Sequence, residues 1–185
     1  MTMGSCGFYF LGGIMIKQTV LGALHIAIGV TLPTLFHMLG AAGSIFLPMH
    51  IPVLIAGCLL GKRVGLLVGI LTPLLSSLFT GMPPLTILPV MLPELATYGL
   101  TMGYFYHNKN KNIFISLFIT MLLGRFVAVI SAFFAIAILQ LKLSPLYYIT
   151  GAIITGLPGI ALQFVLIPTI IKQLEKQFYS FLRKN

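Results

Sequence analysis

Long apolar runs, broken at short intervals by glycine, proline and charge, set the pattern of this chain. Six runs are long enough for helices, at about 18–38, 46–61, 64–80, 85–107, 113–140 and 146–171. Turn chemistry falls between them: Gly40 to Ser44, Gly61 with Lys62 and Arg63, Gly81 to Pro84, His107 to Asn112, and Leu143 to Pro145. A spanning helix needs about 20 apolar residues, so these runs predict an all-α integral membrane protein with six transmembrane helices and short loops. The second and third runs meet at Gly61, which predicts a helical hairpin. Around its turn Gly57, Gly61, Gly65 and Gly69 recur every four residues, a spacing that lets helix backbones pack closely in lipid.

Composition agrees with the pattern. Of 185 residues 58% are hydrophobic and 7% charged, and the mean hydropathy is +1.08; so few charges cannot cover a water-soluble surface. The net charge of +9 follows from topology. With a cytoplasmic N-terminus, Lys17, Lys62, Arg63, Lys109, Lys111, Lys172, Lys176, Arg183 and Lys184 lie on the cytoplasmic side and Lys142 alone lies opposite. Lys and Arg in short loops are retained inside, so both termini are expected to be cytoplasmic, in a multi-pass protein of the plasma membrane. The basic balance then calls for no nucleic acid. Residues 1–14 are apolar and glycine-rich without a positively charged leader, and are set aside as an N-terminal extension. Met15, followed by Ile16 and Lys17, reads as an ordinary start for a single six-helix domain over 15–185.

The inventory of reactive groups argues against an enzyme. Only two carboxylates exist, Glu94 and Glu175, so paired acid/base chemistry and carboxylate-rich metal catalysis lack their parts. There is no G-x-S-x-G, no aspartate pair and no Walker loop, because Gly61-Lys62-Arg63 lacks the upstream glycine and the following hydroxyl. Cys6 and Cys58 form no metal or redox spacing, and His25, His37, His50 and His107 match no metal motif, so no resident metal or cofactor is expected.

Glu94 is the only acid and Arg125 the only base within a predicted span, and both should point into the bundle. Each lies about 13 residues from the cytoplasmic end of its helix, so both sit near 20 Å from that surface and are able to pair. Two readings stand: an ion pair that fixes helix packing, or charges that contact a ligand. Thr97, Tyr98 and Thr101 follow Glu94 at i+3, i+4 and i+7 and share its helix face. Thr155 and Gln163 share a face of the last span, with Gly159 leaving space between them. Several polar groups converging in an apolar setting are what a small-molecule site requires. His50, in Pro48-Met49-His50-Ile51-Pro52, stands at an outer loop-to-helix junction, and Met82 with Pro83 and Pro84 forms the next outer loop.

The run from Leu47 to Leu95, then Ala96-Thr97-Tyr98-Gly99, resembles the substrate-binding S components of energy-coupling factor (ECF) transporters. The resemblance rests on the proline-containing helix that enters A-G-x-L-x-G, on G-x-x-x-G-x-x-x-P in the next, and on E-L-x-x-Y-G in the fourth. It implies a six-helix subunit that captures a small water-soluble vitamin from outside. It also implies association with a transmembrane coupling (T) subunit and two cytoplasmic ATPases, which use the ATP, and a toppling motion of the whole S component during transport. In that family an A-x-x-x-A pattern on the first helix meets the coupling subunit, and Ala23 and Ala27 stand in it. Glu94 and Tyr98 carry over to the substrate site by motif; Arg125, Gln163, His50 and Met82 are nominated by position and chemistry, and Thr97 by its place on the Glu94 face.

Arg125 suits an anionic solute, and pantothenate, with a carboxylate for Arg and hydroxyls for Thr and Gln, is the first candidate. If Glu94 neutralises Arg125, a neutral or cationic vitamin fits as well. Nickel or cobalt S components begin with Met-His-Ile and ligate through a free amino terminus, whereas Met49 is internal. A different class of reading is a membrane interaction or assembly protein in which Glu94 and Arg125 only lock helices.

Overall fold

The computed structural model describes residues 4–38, 48–139 and 156–174. Five helical stretches account for nearly all of them: α1 Gly4–Met38, α2 His50–Thr80, α3 Leu88–Met102, α4 Ile113–Leu139 and α5 Gly156–Leu174. There is no strand among the described residues. Four helices are long and apolar enough to cross a membrane: Ile16–Leu35 within α1, α2, Ile113–Ile138 within α4, and α5. The sequence predicts six spans, and the difference has two local causes.

The first is Gly61. Its φ of 82° and ψ of 179° are not helical, so α2 is two arms joined at that residue. In a continuous helix Gly57 and Gly65 would stand about 12 Å apart. Here a Cβ placed on Gly65 would lie 2.9 Å from the Gly57 Cα, and one placed on Gly29 of α1 would meet both Pro52 and Thr72. The arms therefore fold back on each other as the predicted hairpin, with glycine supplying the positive φ of the turn. The second cause is a change of winding. α3 has only 15 residues, and the chain then continues from Gly103 to Asn108 as a π-helix. Within the predicted span 85–107 the chain is thus helical in two geometries, and this stretch is not among the four helices long and apolar enough to cross a membrane. The beginning of the predicted sixth span, and the segments 39–47 and 140–155, lie outside the described residues.

Packing is organised around the first arm of α2, where every residue from Pro52 to Gly61 is buried. A helix that is apolar on all sides belongs at the centre of a bundle. The fit of the two arms to α3 is made by glycine. A methyl group on Gly99 would overlap the Gly65 carbonyl, one on Gly69 the Leu95 carbonyl, and one on Gly103 the backbone of Gly61 and Lys62. The Gly57, Gly61, Gly65, Gly69 series therefore faces a second series of the same period, Leu95, Gly99 and Gly103, in backbone-to-backbone contact. α4 packs on the other side of α3, with Leu117 and Met121 in the core. Its outer side carries exposed Phe118, Leu122, Phe126, Ile130, Phe133 and Phe134, an apolar surface suited to lipid.

Candidate binding site around Glu94

α3 begins with Pro89 at its first turn and contains Pro93, immediately before Glu94. One turn later along the same face stands Tyr98, whose hydroxyl donates a hydrogen bond to Glu94 Oε1 at 3.0 Å. Glu94 is buried, and Arg125 of α4 brings Nη1 to 3.2 Å from the same oxygen. His50, the first residue of α2, places Nε2 at 3.7 Å from it, too long for a hydrogen bond but within ion-pair range. The His50 and Tyr98 rings lie 5.2 Å apart at an interplanar angle of 60°, a tilted aromatic contact. Three helices thus converge on one carboxylate oxygen.

Glycine makes room for this cluster. Gly124, next to Arg125, lies under the Tyr98 ring, where a Cβ would be 2.7 Å from Cζ. Gly156, at the start of α5, lies against the guanidinium, where a Cβ would be 2.8 Å from Nη2. Neither glycine is among the residues nominated from sequence. The available signal was weak: a single glycine inside an apolar span, adjacent to the one intramembrane arginine.

The cluster holds buried nitrogens without protein partners among the described residues. Among the described residues, Arg125 Nε and Nη2 and the two ring nitrogens of His50 have no hydrogen-bond partner, and neither has Gln163 Nε2 further along α5. A buried polar group left unpaired costs about 1–3 kcal/mol. The contact with Glu94 uses Nη1, which leaves the Nε and Nη2 edge of the guanidinium, the edge that grips a carboxylate in bidentate fashion.

The nominated residues therefore divide. Glu94, Tyr98, Arg125 and His50 are brought together. Gln163 is buried on α5, two turns beyond Gly156 and about 10 Å further along the axis. Met82 lies in the exposed connection between α2 and α3, where its N–H donates to Thr80 Oγ1 at 3.2 Å. The Thr97 hydroxyl donates to the Pro93 carbonyl at 2.7 Å, and that of Thr101 to the Thr97 carbonyl at 2.6 Å. These hydroxyls close onto their own helix, so the polar face of α3 narrows to Glu94 and Tyr98. Thr155 lies outside the described residues. No group of three metal-ligating side chains occurs among the described residues.

These features define a multi-pass, all-α membrane protein with a small charged cluster enclosed among its helices. The family model for the ECF transporter substrate-specific component matches residues 15–171. The chain belongs to that family of membrane-embedded, substrate-binding transport subunits, which work with a membrane coupling subunit and ATPase subunits rather than as enzymes. No curated protein and no solved structure matches the chain.

Proposed function

We propose that this S component captures a small water-soluble vitamin bearing a carboxylate, with pantothenate the first to test, and delivers it for ATP-driven uptake. Its topology in this reading is six spans with both termini cytoplasmic, formed by residues 15–185, with 1–14 as an extension; the fold-back at Gly61 supports that count. The single observation that carries the substrate reading is the unpartnered Nε and Nη2 edge of Arg125 beside Glu94. Glu94 holds the guanidinium through the other nitrogen and orients this edge. Tyr98 and His50 close the adjoining wall, and Gln163 offers a further donor along α5. Met82 and Thr97 belong to the rim and to the supporting helix face. Ala23 and Ala27 are exposed on α1 beside Val20, Leu24 and Ile28, which supports this face as the one that meets the coupling subunit; the two ATPases dock to that subunit in turn.

A second reading has its own observation. Because Glu94 sits 3.2 Å from Arg125, the pair is formally neutral, which also suits a neutral or cationic vitamin. Mass spectrometry of small molecules released from the purified chain, grown in vitamin-rich medium, decides between them. Stoichiometric release of a carboxylated vitamin is the expected result. Release of an uncharged or cationic vitamin would select the second reading, and release of none, with no copurifying ATPase, would favour a protein that only assembles with others.

A further inference from the structure

A second site lies at the opposite end of α3. Where the chain turns at Gly61, a cleft of roughly 420 Å3 opens between α1, the hairpin and the end of the π-helix. Its walls include Gln18 of α1, Lys62, Arg63 and Val64 after the turn, and His107 and Asn108. The π-helix holds this arrangement in place: His107 Nδ1 lies 3.0 Å from the Cys58 carbonyl, so the end of α3 is tied to the first arm of α2 beside the turn.

The charge at this cleft is of one sign. Lys62 and Arg63 line the cleft, and Lys62 Nζ at 5.6 Å and Lys109 Nζ at 5.7 Å from the centroid of the Tyr104 ring bring a second ammonium group near the first. Arg63 beside them is exposed. The only acid among the described residues is Glu94, 13 residues from His107 and so about 20 Å away along the helix, and it is already engaged by Arg125. Cations gathered in a concave site of this volume, with no carboxylate against them among the described residues, suit an anionic ligand. The location says which kind. The turn joins two strongly apolar arms, so it stands where hydrocarbon gives way to water, at the depth of lipid phosphates.

We propose that this cleft binds the phosphate of an anionic phospholipid, with Lys62 and Arg63 on the phosphate and Gln18 and Asn108 as hydrogen-bonding walls. It is separate from the Glu94 cluster and does not depend on which vitamin that cluster takes.

Native mass spectrometry of the full chain in detergent, titrated with phosphatidylglycerol or with phosphatidylcholine, tests this. The wild type is expected to retain one phosphatidylglycerol in preference to phosphatidylcholine, and the Lys62→Gln/Arg63→Gln variant to lose about tenfold in that retention. The charge-preserving Lys62→Arg/Arg63→Lys variant should keep it, and Lys172→Gln, at the far end of α5, should leave it unchanged. Gln18→Phe, which fills the cleft with its cations intact, should also weaken retention and covers the case in which the double variant fails to fold. Equal retention of the two lipids, or of phosphatidylglycerol by Gln18→Phe and wild type, would overturn the proposal. Complete displacement by millimolar inorganic phosphate would overturn the lipid as the source of the anion.

Discussion

Two faces of the same stretch of α3 meet their neighbours in opposite ways. At Gly99 and Gly103 the helix meets the hairpin backbone to backbone, with no side chain between them. At Glu94 and Tyr98 it meets α2 and α4 through long polar side chains, several of whose partners keep unsatisfied donors. The glycine seam is complete within the chain, and its atoms have nowhere to move. The polar cluster keeps nitrogens that have no partner among the described residues. In the proposed function, stability is concentrated in the first region and ligand selectivity in the second. Substitutions that separate the two properties are the way to test that division.

The largest effect is expected at the seam. Gly99→Val places a branched side chain where even one methyl overlaps the Gly65 carbonyl, and the obstacle is backbone, which cannot rotate away. A loss of about 3 kcal/mol or more is expected, seen as failure to give monodisperse protein in detergent. Gly81→Ala is the contrasting control. Gly81 has a φ of 71° but nothing within 4 Å of its Cβ position, so the cost is conformational only, about 1 kcal/mol. Equal losses for the two would mean that dihedral strain, not close approach, explains these glycines.

Next comes the ion pair. Glu94→Ala leaves Arg125 charged among apolar helices and is expected to cost about 3 kcal/mol, at the low end for a buried pair because the Arg125 side chain is 21% exposed. Glu94→Ala/Arg125→Met removes both charges and should recover at least half of that in thermal stability while binding stays lost. A double variant no more stable than Glu94→Ala would show that the two residues are not energetically coupled.

The pairing itself was legible in the sequence. One acid and one base at matching depth in adjacent spans leave few other partners, and they stand 3.2 Å apart. The hairpin was legible too, since glycine followed by Lys62 and Arg63 interrupts an apolar run at its middle. The rest was hidden because it depends on geometry that periodicity does not encode. Thr97 and Tyr98 share the Glu94 face equally well on paper. Only the backbone decides that the Thr97 hydroxyl turns back to the Pro93 carbonyl while the longer Tyr98 reaches the carboxylate. The π-helix at Gly103–Asn108 was equally invisible, because the switch in hydrogen-bond register leaves the apolar run intact. Gly124 and Gly156 matter through what they omit, and a pattern of residue types cannot say which ring or guanidinium fills the space.

A smaller effect, confined to binding, is expected from Arg125→Ala. A charge-assisted hydrogen bond contributes about 1.5–3 kcal/mol, so affinity for the released vitamin should fall by about tenfold to a hundredfold. Lys172→Ala, exposed near the end of α5, should change it less than about twofold. Equal losses in two folded variants would remove Arg125 from the binding site and leave it as the fastener of α3 to α4.

The smallest effect is expected from Thr97→Val, which separates the two pictures of the α3 face. If the face recognises the ligand as a continuous polar stripe, deleting the hydroxyl removes a contact, and affinity should fall about tenfold. The observed hydrogen bond to Pro93 gives the hydroxyl an acceptor within its own helix, at 2.7 Å, so it has no donor to spare. Valine preserves the branched shape, so the change should stay within about twofold in affinity and about 0.5 kcal/mol in stability. Isothermal titration of the variant against the vitamin recovered from the wild type measures the first, and a thermal shift in the same detergent the second. An unchanged affinity here, beside a large loss at Arg125, would confine recognition to groups that reach across between helices. That is the arrangement in which the seam supplies the fold and the long polar side chains supply the choice of solute.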